Sequence, residues 1–251
     1  MASAVRSPLF FWVIAQWLML VGTFASGQKF VPEELEVLHF GTSGYPLLLF
    51  PSSCGRFFEP EDRGLIASLR WYLDSSYLQI FCLDTRDWET FFASNLTLQE
   101  RRDRWLLLER HWVKEFIPYA CDEAQNDFLV VAGCALGATH ALNLALRHPT
   151  LVRRCLAMGG IYDIAHSSAV FSEFSSAEKE QELYFMNPMA YMANMNRDRW
   201  VDLGGLNTDI KLLTAHEDGG LSEHLQLSEL LHRNRIPHQL EVWNGGHDWH
   251  T

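Results

Sequence analysis

Short blocks of nearly continuous apolar residues alternate along this chain with longer stretches in which apolar residues recur every three or four positions. The blocks at 46–50 (PLLLF), 78–83 (LQIFCL) and 128–132 (FLVVA) predict strands covered on both faces. Residues 35–40 mix apolar positions with Glu36 and His39 and also predict a strand, as do 155–158, 210–214 and 239–243. Helical spacing appears over 59–73, with Leu65, Ile66, Leu69 and Leu73 on one side. It returns over 98–120, with a stop expected at Pro118, and over 138–147 and 221–232. Strands alternating with helices predict an α/β fold: a mostly parallel sheet with helices on both faces. Such sheets carry their active groups in loops at the carboxyl ends of the strands. That rule places Ser52 to Gly55, Gly133 to Gly137, Asp218 and His247 along one edge. Residues 161–206 interrupt the alternation, are rich in Phe, Tyr, Met and Asn, and read as a lid or cap segment.

The N-terminus follows a different pattern. Arg6 precedes an apolar run over 8–25 broken only by Gln16 and Thr23, with small residues at Gly22, Ala25, Ser26 and Gly27. A positive start, an apolar stretch and a small-residue exit predict a signal peptide over 1–27, cut near Ser26 to Gln28. An uncleaved membrane anchor is the competing reading, since the run approaches the ~20 residues that span a bilayer. Residues 28–251 are then one domain, secreted, periplasmic or at the cell surface.

Composition narrows the function. A chain of 251 residues, 48% hydrophobic, can bury one large core. Its net charge of −11 argues against nucleic-acid binding, which needs a basic face. The five cysteines (Cys54, Cys82, Cys121, Cys134 and Cys155) form no C-x-x-C pair, and an odd count leaves a free thiol. No metal-ligand set or phosphate-binding glycine loop is visible, so no cofactor is expected. Asn95-Leu96-Thr97 is a glycosylation sequon, relevant only after export in a eukaryote.

The most informative stretch is GCALGATHALNLALRHP, which follows the 128–132 block. Strand, G-x-x-x-G turn and helix form the frame of a nucleophile elbow, whose central residue is normally serine. Here the centre is Ala135, between Gly133 and Gly137. The N–H of the next residue, Leu136, suits an oxyanion donor. A bare strand-to-helix connection would carry the same glycines, so the partners matter. In these hydrolases the acid and then the histidine follow the nucleophile in the chain. Asp218 stands just after the 210–214 strand, and His247 lies in a Gly-rich loop after 239–243. Asp218 also reads as a turn or cap residue, with Glu217 as the rival acid. His247 also reads as a loop histidine, with His250 as its rival. His140 and His148 read as surface or packing residues. Cys134, one position early, should point its sulfur away from the oxyanion site, in an apolar setting that suppresses the thiolate. Ser52 and Ser53 lack the elbow's projection.

From about Glu34 onward the chain resembles the esterase D-like branch of the α/β-hydrolase superfamily. The stretches LLLFPSSCGRFFEPEDRG, LQIFCLDTRDWET, GCALGATHALNLALRHP, YFMNPMAYMANM and GGHDWH carry the resemblance. Relatives read G-C-S-[ML]-G-A at the elbow, so Ala135 stands where the family has serine. The resemblance implies His247 as base and Asp218 as acid. It also implies an oxyanion donor at Ser53 or Cys54, beside that of Leu136. Substrates would be small-molecule or polymeric esters or thioesters. The expectation is a serine-esterase scaffold that is silent without its nucleophile, or else a pseudo-hydrolase that binds a ligand or partner. Aromatic residues Phe57, Phe58, Trp88, Tyr162, Phe185, Tyr191 and Trp249 are expected either around the mouth of the site or in the core.

Overall fold

The computed structural model describes residues 20–25, 34–167 and 170–249. Eight strands form one sheet: β1 (Leu20–Ala25), β2 (Glu34–Phe40), β3 (Tyr45–Phe50), β4 (Leu78–Leu83), β5 (Leu129–Cys134), β6 (Val152–Met158), β7 (Asp209–Ala215) and β8 (Gln239–Trp243). Their order is β1-β2-β4-β3-β5-β6-β7-β8. The first two strands run antiparallel, and β3 to β8 are parallel.

Period-two alternation assigns the strand residues to two cores. On β3, Leu48 and Phe50 face one core while Leu47 and Leu49 face the other. On β4, Phe81 and Leu83 oppose Ile80 and Cys82 in the same way. Helices α4 (Leu98–His111), α5 (Ile117–Ala124), α6 (Leu136–Arg147) and α10 (Leu221–Arg233) supply apolar residues to the first core or its neighbours. The short helices α1 (Glu59–Asp62), α2 (Leu65–Ser68) and α3 (Arg70–Asp74) cover the second with Ile66 and Leu73.

Two helices differ from expectation. The stretch 59–73 is three short pieces rather than one, because Gly64 adopts φ +81 and turns the chain left-handed after the first. The second helix does not stop at Pro118. A π turn at Trp112–Phe116 precedes it, and the helix resumes through Ala124. A proline removes one N–H and crowds a carbonyl four residues back, and the widened turn accommodates both effects. The start of α4 carries a capping box, with Thr97 and Glu100 each accepting the other's backbone N–H.

The segment 161–206 holds α7 (Ser176–Glu182), α8 (Pro188–Met192) and α9 (Arg197–Asp202), and no strand among its described residues. Ile164, Val170, Phe171, Leu183 and Met186 bury themselves against Phe91, Trp105 and Leu136. Tyr191 donates its hydroxyl to Asn143 on α6 at 2.8 Å. These contacts fasten the segment to α4 and α6.

At the other end of the chain, β1 is the tail of the apolar run read as an export segment, and it pairs along β2. Residues 1–19, and the expected cut near Ser26 to Gln28, lie outside the described residues. Parallel register then sets the functional edge. Phe50 pairs with Gly133, Cys134 with Met158, Met158 with Leu213, and Ala215 with Trp243. The carboxyl ends of β3, β5, β6, β7 and β8 therefore stand in one row.

Candidate active site

Ala135 joins β5 to α6 at φ +51 and ψ −120. A residue with a Cβ avoids this region, at a cost of ~1–3 kcal/mol. The turn is held by its own hydrogen bonds: Ala135 N–H donates to Met158 O at 2.9 Å, and Ala138 N–H donates to Ala135 O at 3.0 Å. Both flanking glycines are forced by contact. A Cβ on Gly133 would lie 2.2 Å from Gly137 O, and one on Gly137 would lie 2.1 Å from Pro51 O. Strand, helix and the β3 loop thus meet where only glycine fits, and the strained residue between them is not glycine. A turn serving only as a connection would lose its strain by placing glycine at the centre.

The acid and base meet at the same edge. His247 Nδ1 lies 3.0 Å from Asp218 Oδ2. The other carboxylate oxygen, Oδ1, accepts the Gly220 N–H at 2.7 Å. Burial pushes the Asp218 carboxyl up, but the bonds from Gly220 and His247, with the His247 and His224 charges, hold it below its ordinary value. Asp218 is thus an ionised acceptor that fixes the Nδ1–H tautomer and leaves Nε2 for a proton. The loop after β6 closes on the imidazole, since a Cβ on Gly159 would lie 3.0 Å from His247 Cε1.

Of the loop after β3, Ser52 and Ser53 face the cavity and Cys54 does not. Cys54 N–H instead donates to Asp87 Oδ2 at 3.1 Å. Ser53 N–H makes no hydrogen bond among the described residues, and neither does Leu136 N–H at the first position of α6. Ser52, Ser53, Ala135, Gly159, Asp218 and His247 line one cavity of about 440 Å³, with Leu65, Met158, Leu213, Trp243 and Trp249 as its apolar wall. Leu136 does not fill it, because its side chain is buried with Trp105 and Phe91.

Residues 81–251 match the family described as Putative esterase. The chain belongs to that esterase family. Among curated proteins none matches. Solved structures share the fold: a ferulic acid esterase at TM-score 0.71 and 16% identity, covering 93% of this chain and 93% of its own. An S-formylglutathione hydrolase from Agrobacterium tumefaciens reaches 0.69 at 12% identity, covering 91% of this chain and 88% of its own. Another, from Staphylococcus aureus, reaches 0.66 at 12%, covering 92% and 93%.

The other candidates separate by position. Glu217 is exposed, and its N–H bonds Gly245 O rather than serving His247. His250 lies outside the described residues. Cys134 does line the cavity, contrary to the expected divergence of neighbours at the elbow. Burial, with a smaller push from Glu59, raises its thiol to about 12, so it is protonated and a poor nucleophile at neutral pH. Among the described residues no group of three or more His, Cys, Asp or Glu could hold a metal ion.

Of the seven aromatic candidates only Trp249 lines the cavity; Phe57, Tyr162 and Tyr191 are core. No described residue of 161–206 lines it either.

Among the residues not singled out in the sequence, Trp243 and His224 stand out. Trp243 read as the end of a strand. His224 read as part of an amphipathic helix. It is fully buried, its Nδ1 3.0 Å from Gly220 O and its Nε2 accepting the Gly160 N–H at 3.2 Å. It thereby ties the loop that orders Asp218 to the loop that abuts His247.

Proposed function

We propose that this chain carries the binding and acid–base apparatus of a carboxylic ester or thioester hydrolase and lacks its attacking oxygen. One observation carries the reading: a strained Ala135, framed by obligatory glycines, shares an open cavity with a hydrogen-bonded Asp218–His247 pair. With serine at 135, Oγ would attack the ester carbonyl while His247 Nε2 takes its proton. The oxyanion would face the N–H groups of Leu136 and Ser53. Collapse would expel the alcohol or thiol, protonated by His247, and water would repeat the sequence on the acyl-enzyme. With alanine there is no covalent step. The oxyanion donors and binding alone leave ~10³–10⁴-fold over water at most.

The cavity wall favours a neutral ester with an apolar or flat aromatic group. Leu65, Leu213, Trp243 and Trp249 offer apolar contact, and no lining residue is Lys or Arg. Export is part of the proposal, supported by Arg6 and the apolar run over 8–25.

Fluorophosphonate labelling tests the reading. The protein as it stands should not label, and Ala135→Ser should label at residue 135. A folded Ala135→Ser protein that stays unlabelled would leave the ligand-binding reading in its place.

A further inference from the structure

Three consecutive amides in the loop after β3 are treated differently. Ser52 N–H donates to Glu59 Oε2 at 2.8 Å, and Ser52 Oγ donates to Glu59 Oε1, also at 2.8 Å. Cys54 N–H donates to Asp87 Oδ2 at 3.1 Å, with Cys54 in the left-handed region at φ +57. Gly55 N–H closes the turn on Ser52 O at 2.8 Å. A Cβ on Gly55 would strike the Glu59 carboxylate at 2.1 Å, so glycine is what lets that carboxylate approach. Between two amides bound to carboxylates stands one that is not. Ser53 lines the cavity beside Ala135.

Asp87 is itself held by a buried chain. Its Oδ1 lies 2.9 Å from His140 Nε2, and His140 Nδ1 lies 3.2 Å from Trp105 Nε1. Asp87, His140 and Trp105 are all buried. An indole N–H can only donate. His140 Nδ1 is therefore the acceptor, its proton sits on Nε2, and that N–H points at Asp87. The carboxylate thus accepts two donors, one on the elbow helix α6 and one on the oxyanion loop. Helix and loop are the two elements whose free amides must converge on a single oxygen.

We propose that Asp87, oriented by His140 and Trp105, acts with Glu59 as a positioning group that occupies the amides on either side of Ser53 and holds the Ser53 N–H as the second oxyanion donor. The proposal rests on the hydrolytic reading above. It resolves the choice between Ser53 and Cys54 in favour of Ser53. It also gives His140, which the triad does not use, a role in the tautomer chain.

The test uses two readouts that fail separately. The first needs no catalysis: residue-resolved amide hydrogen exchange on the protein as it stands. Ser52 and Cys54 N–H should exchange at least ~10-fold more slowly than Ser53 N–H, since hydrogen-bonded amides are protected. Asp87→Asn should release Cys54 alone. Equal protection of all three amides, or a Cys54 amide indifferent to Asp87→Asn, overturns the proposal whether or not the chain can be made active.

The second readout is kinetic, in the Ala135→Ser background. Asparagine offers one acceptor where two donors arrive, so Asp87→Asn should lower kcat by ~10²-fold, the scale of one lost oxyanion donor, with KM little changed. Trp105→Phe frees His140 Nδ1 to carry the proton. His140 Nε2 can then accept from the asparagine amide. The double variant Asp87→Asn, Trp105→Phe should therefore recover at least ~10-fold of the lost kcat, a recovery that mere loss of packing cannot give. A folded Asp87→Asn revertant with unchanged kcat, or a folded double variant with no recovery, overturns it. If Ala135→Ser alone is silent, the hydrolytic reading falls, and the exchange pattern still decides the positioning claim.

Discussion

His247 Nδ1 stands 3.0 Å from Asp218 Oδ2, and the two residues come from loops after adjacent strands β7 and β8. Asp218 is ionised and nearly buried, with its second oxygen on Gly220 N–H. A carboxylate in that position is of little use to a binding cleft, yet it is what an imidazole general base needs. In the Ala135→Ser background His247→Ala should return ester turnover to background. Asp218→Asn should cut kcat by ~10⁴-fold through the wrong tautomer. Glu217→Gln, exposed and unconnected to His247, should change it by no more than about twofold. Steady-state kinetics on the three variants checks the assignment, and a Glu217 effect as large as that of Asp218 would reassign the acid.

The strain at Ala135 predicts an inverted glycine effect. Ala→Gly inside a helix normally destabilises, but at this helix start with φ +51 it should stabilise by about 1 kcal/mol. Gly137→Ala should do the opposite and cost more than about 3 kcal/mol, because its methyl would overlap Pro51 O. Denaturant unfolding of both variants measures this. An Ala135→Gly protein less stable than the parent contradicts the strained elbow.

His224 gives the fold a pH dependence. Burial pushes its pKa below the ordinary 6.5, with Gly220 O and Asp218 opposing and His247 adding to the shift. The unfolded chain therefore takes up a proton that the folded chain refuses. Stability is full above the ordinary value and falls as pH drops through it toward the folded value, by at most about 1.4 kcal/mol per pH unit for one proton. Asp218, shifted down, contributes in a lower window, where carboxylates protonate. His39 is lowered by burial in the same sense as His224, so the informative quantity is a difference. Between about pH 7.5 and 5.5 the unfolding free energy of His224→Gln should fall less steeply than that of the parent. Parallel slopes would remove His224 from this role.

The proposed export makes a compositional prediction. Protein from its own host should begin near Ser26 to Gln28, and its sheet would then end at β2, because Leu20–Ala25 would leave with the signal peptide. Intact-mass measurement decides it. A product that retains 1–25 in the cytoplasm contradicts export and keeps β1 as the edge strand.

What the sequence revealed follows from the range of the interactions involved. The apolar block Leu78–Leu83 fell where it was read, because a strand covered on both faces must be apolar locally. The crowding of Gly133 and Gly137 and the meeting of Asp218 with His247 could be anticipated because these residues fall in the turns that follow strands. The break at Gly64 and the helix through Pro118 could not, since each depends on backbone geometry that periodicity does not encode. The Asp87–His140 contact spans 53 positions and that of Trp105 with His140 spans 35. No local spacing reports such a pairing, and a histidine on a helix face reads only as packing.

Ester turnover by the Ala135→Ser protein tests the central claim most directly. The substitution adds one oxygen at a position whose backbone already holds the strained nucleophile conformation, so it should fold with little change in stability. The parent should hydrolyse a p-nitrophenyl ester no faster than a trace, and iodoacetamide should not alter that trace, because the Cys134 thiol is protonated. Ala135→Ser should raise kcat/KM by at least ~10³-fold, since only the serine completes the triad. A folded Ala135→Ser protein that binds the ester and leaves it intact would contradict the account, as would a parent whose own turnover is abolished by iodoacetamide.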